Sequence, residues 1–257
     1  MPSLPPSEHP DPSTRAEWIT GYAIRSPSSR DAKEMFTNLH DAVDMTTDAT
    51  RYPTGYAGLP PRQGLLPDEL LSNFDAGFFR MNQKQVDKAD IIMRMLLEVT
   101  HEALLDAGLD VASLRGSRTG VYVGHCFSDW LSTSRCDPKL TGYEIVNGAH
   151  SMMANRLSFY FDFKGPSLVI DTACSSSSTA LHSAHRDLKA GIIDRAIVAG
   201  ASLTLDPQTN MLFNSFNMLS PTGACHSFDT RAVRAHPASK RVPRCLWTTP
   251  PPRTTTP

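Results

Sequence analysis

Short apolar runs of strand type alternate with stretches of helical spacing along most of this chain. Thr119–Gly124, Ser167–Ile170 and Ala196–Ala199 are the strand-type runs. Ala89–Ala107 is the longest helical stretch, with Ile92, Leu96, Val99, Ala103 and Ala107 recurring every three or four residues and Gly108 placed to end it. Gly148–Phe159 and Ser175–Ala190 read as further helices, the second stopped by Gly191. A strand followed by a helix and another strand brings the chain back in the same direction. The pattern therefore predicts an α/β fold with parallel strand pairs covered by helices. Ahead of this region, Trp18–Ile24 suits a strand, and Asp31–Val43 a helix with Met35, Phe36, Leu39 and Val43 on one side. Residues 49–80, rich in Gly, Pro and aromatics, read as irregular.

Proline sets the outer boundaries. Eleven of the 20 prolines fall in residues 1–14 and 233–257, and a residue without an amide hydrogen blocks both helix and ladder. Residues 1–16 are expected to be a disordered Pro-rich leader, 17–232 the folded body, and 233–257 an unstructured Pro/Thr/Arg-rich tail. A net charge of −1 leaves no electrostatic footprint for nucleic acid. No apolar run approaches the ~18 residues of a membrane span. The five cysteines, at 126, 136, 174, 225 and 245, fit neither a disulfide framework nor a zinc site. A reducing, cytoplasmic compartment follows as the expectation.

The chemistry concentrates in one stretch, Gly165-Pro-Ser-Leu-Val-Ile-Asp-Thr-Ala-Cys174-Ser-Ser-Ser-Ser. A strand runs into Cys174 and a helix leaves it. That puts the thiol beside first-turn amides, at the positive end of a helix dipole, where a thiolate and a negative acyl oxygen are both favoured. The helix carries Ser, Ala and Thr on nearly every side, which suits close packing all round. The competing reading is a buried structural cysteine, with the serines that follow acting as helix caps.

Asp171-Thr-Ala-Cys-Ser-Ser-Ser177 resembles the active-site signature of β-ketoacyl synthases, the condensing domains of animal-type I fatty acid synthases and of polyketide synthases. Asn155-Arg-Leu-Ser-Phe-Tyr-Phe-Asp-Phe-Lys-Gly-Pro166 and Leu219-Ser-Pro-Thr-Gly-Ala-Cys-His-Ser-Phe-Asp229 are similar to the segments that flank it, and Phe74-Asp-Ala-Gly-Phe-Phe79 and Met95-Leu-Leu-Glu-Val-Thr100 match upstream. The resemblance covers about residues 17–232. It implies the first half of a thiolase-like condensing-enzyme fold, layered αβαβα. It implies that Cys174 accepts an acyl group before decarboxylative condensation with a malonyl carrier, and that Asp171 and Ser175 support the turn around it. An acyl carrier protein would supply the phosphopantetheine arm, with no cofactor or metal of the chain's own, and the working form would be a homodimer.

The resemblance also calls for two downstream histidines, in His-Gly-Thr-Gly and Asn-x-x-Gly-His contexts, and neither motif occurs among the 257 residues. His182 and His185 lie roughly 12–16 Å from Cys174 by helical rise, too far for a direct bond. His125 beside Cys126 reads first as a loop histidine and second as a ligand or base. His226, Cys136 and Cys225 receive no role. The match stops near Ala232, which marks the tail as the product of a truncated or misassembled reading frame. The alternative function is therefore a catalytically dead remnant that at most pairs with a full-length synthase. The exposed sheet and helix surface left without a second half would make such a chain marginally stable.

Overall fold

The computed structural model describes residues 16–130, 142–224 and 244–249. The expected leader lies outside these residues except for Ala16, and so does the expected tail except for 244–249.

Strand β1 (Trp18–Ile24) leads to helix α1 (Ala32–His40), which the Asp31 carboxylate caps by accepting from the Glu34 amide at 2.8 Å. The expected helix forms, yet it buries none of its residues, and Phe36 and Leu39 face water. The stretch read as irregular is mostly so, but β2 (Thr47–Asp48) pairs with β3 (Arg62–Gln63), and two short helices, α2 (Asp68–Ser72) and α3 (Gln83–Asp87), follow. Helix α4 (Ile91–Asp106) begins where Asp90 accepts from the Ile92 amide at 2.8 Å. It ends before Gly108, whose φ of +67° favours a residue without a side chain.

Strand β4 (Thr119–Gly124) comes next. A helix that was not expected, α5 (Tyr143–Gly148), ends at the extended Ala149, and the helix expected over 148–159 forms beyond it as α6 (Met152–Phe161). Strand β5 (Ser167–Ile170), helix α7 (Ser176–Lys189) and strand β6 (Arg195–Gly200) then alternate as the spacing predicts. Helix α8 (Pro207–Ser215) was not expected. Its signal is nonetheless in the sequence: Asp206 accepts from the Gln208 amide at 2.7 Å, and Pro207 sits at the first helical position, where a missing amide hydrogen costs nothing.

The main sheet runs in the order β1-β7-β6-β4-β5, with β4 parallel to both β5 and β6. Its second member, β7 (Arg244–Thr249), corrects the unstructured tail: these residues lie antiparallel between β1 and β6. Proline excludes a strand only where it falls inside one. Pro243 and Pro250 flank this six-residue window, which contains Leu, Trp and two Thr of high strand propensity.

Strand β4 is buried on both faces. Val121 and Val123 join Met93, Leu96, Leu97, Ala103, Met153, Leu157 and Phe161 in a core beneath α4 and α6. Tyr122, pointing the other way, joins Ala180, Ala184, Leu188 and Val198 beneath α7. Burial of a large apolar side chain contributes about 1.5–3 kcal/mol, so these two faces hold the helices to the sheet. The result is one helix–sheet–helix stack, as the first half of a five-layer fold requires. Helix α7 packs closely on the sheet side only; Ser178, His182 and His185 on its other side are exposed.

Candidate active site

The chain leaves β5 at Ile170 and enters α7 at Ser176 through a 3-10 turn, Ala173–Ser175. Cys174 stands at the middle of that turn and is exposed, not buried as the structural reading expects. The turn is held by its own side chains. Asp171 Oδ1 accepts from the Ala173 amide at 3.0 Å, and Ser175 Oγ donates to the Thr172 carbonyl at 2.9 Å. Ser176 Oγ accepts from the Thr172 amide at 3.0 Å and donates to the Ala173 carbonyl at 2.6 Å. Thr179 Oγ1 lies 3.0 Å from Thr172 Oγ1 and donates to the Ser175 carbonyl.

These contacts correct the reading of the serines as caps. Ser175 occupies the N-cap position of α7, but its side chain makes no capping bond and turns back to Thr172. Ala173, immediately before the nucleophile candidate, has φ +54°. A side chain in that left-handed region costs on the order of 1–2 kcal/mol, a local strain that the Asp171 and Ser176 bonds offset.

The helix start sits directly on the sheet. A β-carbon at Gly124 would lie 2.4 Å from the Ser177 nitrogen, and one at Gly200 would lie 2.7 Å from Ser177 Cβ. Glycine at the end of β4 lets the backbone of α7 come this near, glycine at the end of β6 leaves room for the Ser177 side chain, and that approach sets where the turn with Cys174 projects.

Next to Gly124, His125 is almost wholly buried, at 1% exposure. It lies in the loop after β4, as the sequence suggested, but is buried there. Its Nδ1 donates to the Ala201 carbonyl at 3.0 Å, and its backbone amide donates to the Ile170 carbonyl at 3.1 Å. Burial pushes its titration below the usual histidine value. The His150 ring lies 5.2 Å away, centroid to centroid. Asp90, at the start of α4, accepts from Ser128 Oγ at 2.6 Å, and burial raises its carboxyl above the ordinary range. Asp129 ties the same loop to α8 by accepting from the Leu205 and Asp206 amides at 2.7 and 3.0 Å.

Of the remaining candidates, His182 and His185 face away from this floor. They line a groove of about 380 Å³ with Glu17, Trp18, Ile19 and Leu181, where His185 Nδ1 meets Glu17 Oε2 at 2.5 Å. Cys126 is a half-buried thiol. Cys136, Cys225 and His226 lie outside the described residues.

The family model described as "Beta-ketoacyl synthase, N-terminal domain" matches residues 18–236. A fatty acid synthase of Anser anser anser is 45% identical over 213 residues, which are 82% of this chain and 60% of that protein. A highly reducing polyketide synthase of Penicillium expansum is 43% identical over 68% of this chain and 7% of its own length. Among solved structures, the ketosynthase from module 6 of the bacillaene synthase of Bacillus subtilis superposes with a TM-score of 0.78 at 29% identity, covering 91% of this chain and 39% of that one. The chain thus spans less than two thirds of each of these proteins. With a helix–sheet–helix stack, an exposed thiol between β5 and α7, and a family match over most of its residues, this chain belongs to the β-ketoacyl synthase family, the ketosynthases of fatty acid and polyketide synthases.

Proposed function

We propose that Cys174 is the acyl acceptor of a β-ketoacyl-[acyl-carrier-protein] synthase. The observation that carries this reading is an exposed thiol on a self-bonded turn at the junction of β5 and α7. The thiolate attacks the carbonyl carbon of an acyl group carried as a thioester on the phosphopantetheine arm of an acyl carrier protein. The new carbon–sulfur bond forms, the bond to the pantetheine sulfur breaks, and the released thiolate takes a proton. Decarboxylation of a malonyl thioester on a second carrier then supplies a carbanion that attacks the acyl carbon and releases the Cys174 thiolate, leaving a 3-ketoacyl carrier. Asp171 and Ser175 touch no reacting atom in this scheme; they hold the turn. Among the described residues β5 lies at the edge of the main sheet, a place suited to pairing with a second copy, which supports assembly as a homodimer. The working compartment is the reducing cytoplasm.

A second reading, acyl acceptance without condensation in a chain that pairs with a full-length synthase, has one observation in its favour. The two histidine motifs that the family uses for the malonyl step are not among these 257 residues. The full chain, incubated with labelled acyl carrier thioester and malonyl carrier, separates the two. Label on Cys174 with 3-ketoacyl product supports the complete reaction, and label without product supports the second reading. A folded chain that takes no label, or a Cys174→Ser variant that takes as much, overturns both.

A further inference from the structure

Among the described residues, His125 is the one buried histidine whose backbone and ring bonds together reach the ends of all three parallel strands. It follows the last residue of β4. Its amide is bonded to Ile170, the last residue of β5, and its Nδ1 is bonded to Ala201, the first residue after β6. The Ala201 amide in turn donates to the Gly124 carbonyl at 2.9 Å.

The chemistry of the ring bond is unambiguous. A carbonyl oxygen can only accept, so Nδ1 carries the hydrogen. Burial lowers the ring's pKa and so favours the neutral form, in which Nε2 carries the lone pair. Among the described residues Nε2 is buried and makes no hydrogen bond.

The two tethered strand ends are the two walls of the nucleophile turn. Ile170 leads directly to Asp171, whose carboxylate holds the Ala173 amide next to Cys174. The end of β6 touches the start of α7, because a β-carbon at Gly200 would meet Ser177 Cβ at 2.7 Å. One wall enters the turn and the other supports the helix that leaves it. The His125 backbone amide ties the first wall to the end of β4, and its Nδ1 bond ties the second.

We infer that His125 is a positioning residue for Cys174: its Nδ1–H strap from β4 to the Ala201 carbonyl sets the pose of the turn that presents the thiol. The inference rests on the reading of Cys174 as the nucleophile. Asparagine places its side-chain nitrogen near the position of Nδ1, whereas glutamine places it near Nε2, so the two amides separate donation to Ala201 from mere polarity and bulk.

The test is alkylation of Cys174 by iodoacetamide in the full chain, resolved from the other cysteines by peptide mass spectrometry, with urea midpoints measured in parallel. Loss of one buried hydrogen bond predicts that His125→Gln slows alkylation roughly three- to tenfold, while His125→Asn stays within about twofold of the parent. Equal rates in both variants, whether slowed together or unchanged, overturn the inference. Where a variant does not fold, the imidazole nitrogen shifts of the parent decide: hydrogen on Nδ1 of His125 supports the strap and hydrogen on Nε2 overturns it. A parent chain whose folded Cys174 takes neither iodoacetamide nor an acyl group marks a failure of the functional reading instead. A reactive parent with an equally reactive His125→Gln marks a failure of this inference alone.

Discussion

Gly124→Ala is the sharpest perturbation this structure offers, because one methyl group would test how the turn that carries Cys174 is placed. The new β-carbon would lie 2.4 Å from the Ser177 nitrogen and 2.6 Å from the Ser176 carbonyl carbon, roughly 1 Å inside ordinary contact. Both obstructing atoms belong to backbone, so no rotamer change relieves them, and the first turn of α7 must retreat. Overpacking of this kind costs about 1–3 kcal/mol, and the upper half of that range applies where only backbone can move. Gly200→Ala differs in kind. Its β-carbon would meet Ser177 Cβ at 2.7 Å, so the conflict is with a side chain. Ser177→Gly removes that side chain while leaving the backbone in place. A double-mutant cycle by urea denaturation should therefore show about 1 kcal/mol of coupling between Gly200→Ala and Ser177→Gly, and close to zero between Gly124→Ala and Ser177→Gly. Iodoacetamide modification of Cys174 should slow in Gly124→Ala, since the turn moves with the helix. A Gly124→Ala chain with the parent's urea midpoint and the parent's Cys174 reactivity would refute the argument that backbone contact positions the site.

Two further perturbations probe strain and charge. Ala173→Gly places a residue without a side chain at φ +54°, so it should raise stability by about 0.5 kcal/mol after the extra freedom of the unfolded chain is counted; a lower thermal midpoint would show that the turn is not strained. Burial lifts the Glu98 carboxyl on α4 from about 4.5 to about 7. A carboxyl whose folded-state pKa is raised gives stability that is fully present below the unfolded value and lost as pH rises through the folded one. Glu98→Gln should thus match the parent near pH 4 and exceed it at pH 8, with the difference opening between about pH 4.5 and 7. Parallel urea midpoints across that range would remove Glu98 from the pH dependence.

The alternation of strand and helix was legible in residues 119–200 because each element there obeys its own period. Val121 and Val123 face one core and Tyr122 the other, as a two-residue repeat demands. Asp31, Asp90 and Asp206 mark helix starts that a local rule can find. Cys174, too, was placed by its neighbours in sequence, since a strand running into a helix is a local event. Other features depended on what the chain meets elsewhere. The apolar side of α1 has the right spacing but no surface to cover it, and spacing says nothing about partners. The tail strand Arg244–Thr249 became regular only because β1 and β6 leave a gap that accepts it, and composition averaged over 233–257 hides a six-residue window free of proline.

The floor of the site shows the division most clearly. By itself the amino-acid order determined the family, the class of fold and the nucleophile candidate, because those rest on patterns within a few residues. Tertiary structure alone decided that the loop histidine His125 is buried and bonded to Ala201, and that Gly124 and Gly200 lie against the start of α7. Those roles depend on Ala201 and Ser177 arriving across 76 and 53 residues of chain, and only packing brings such partners together.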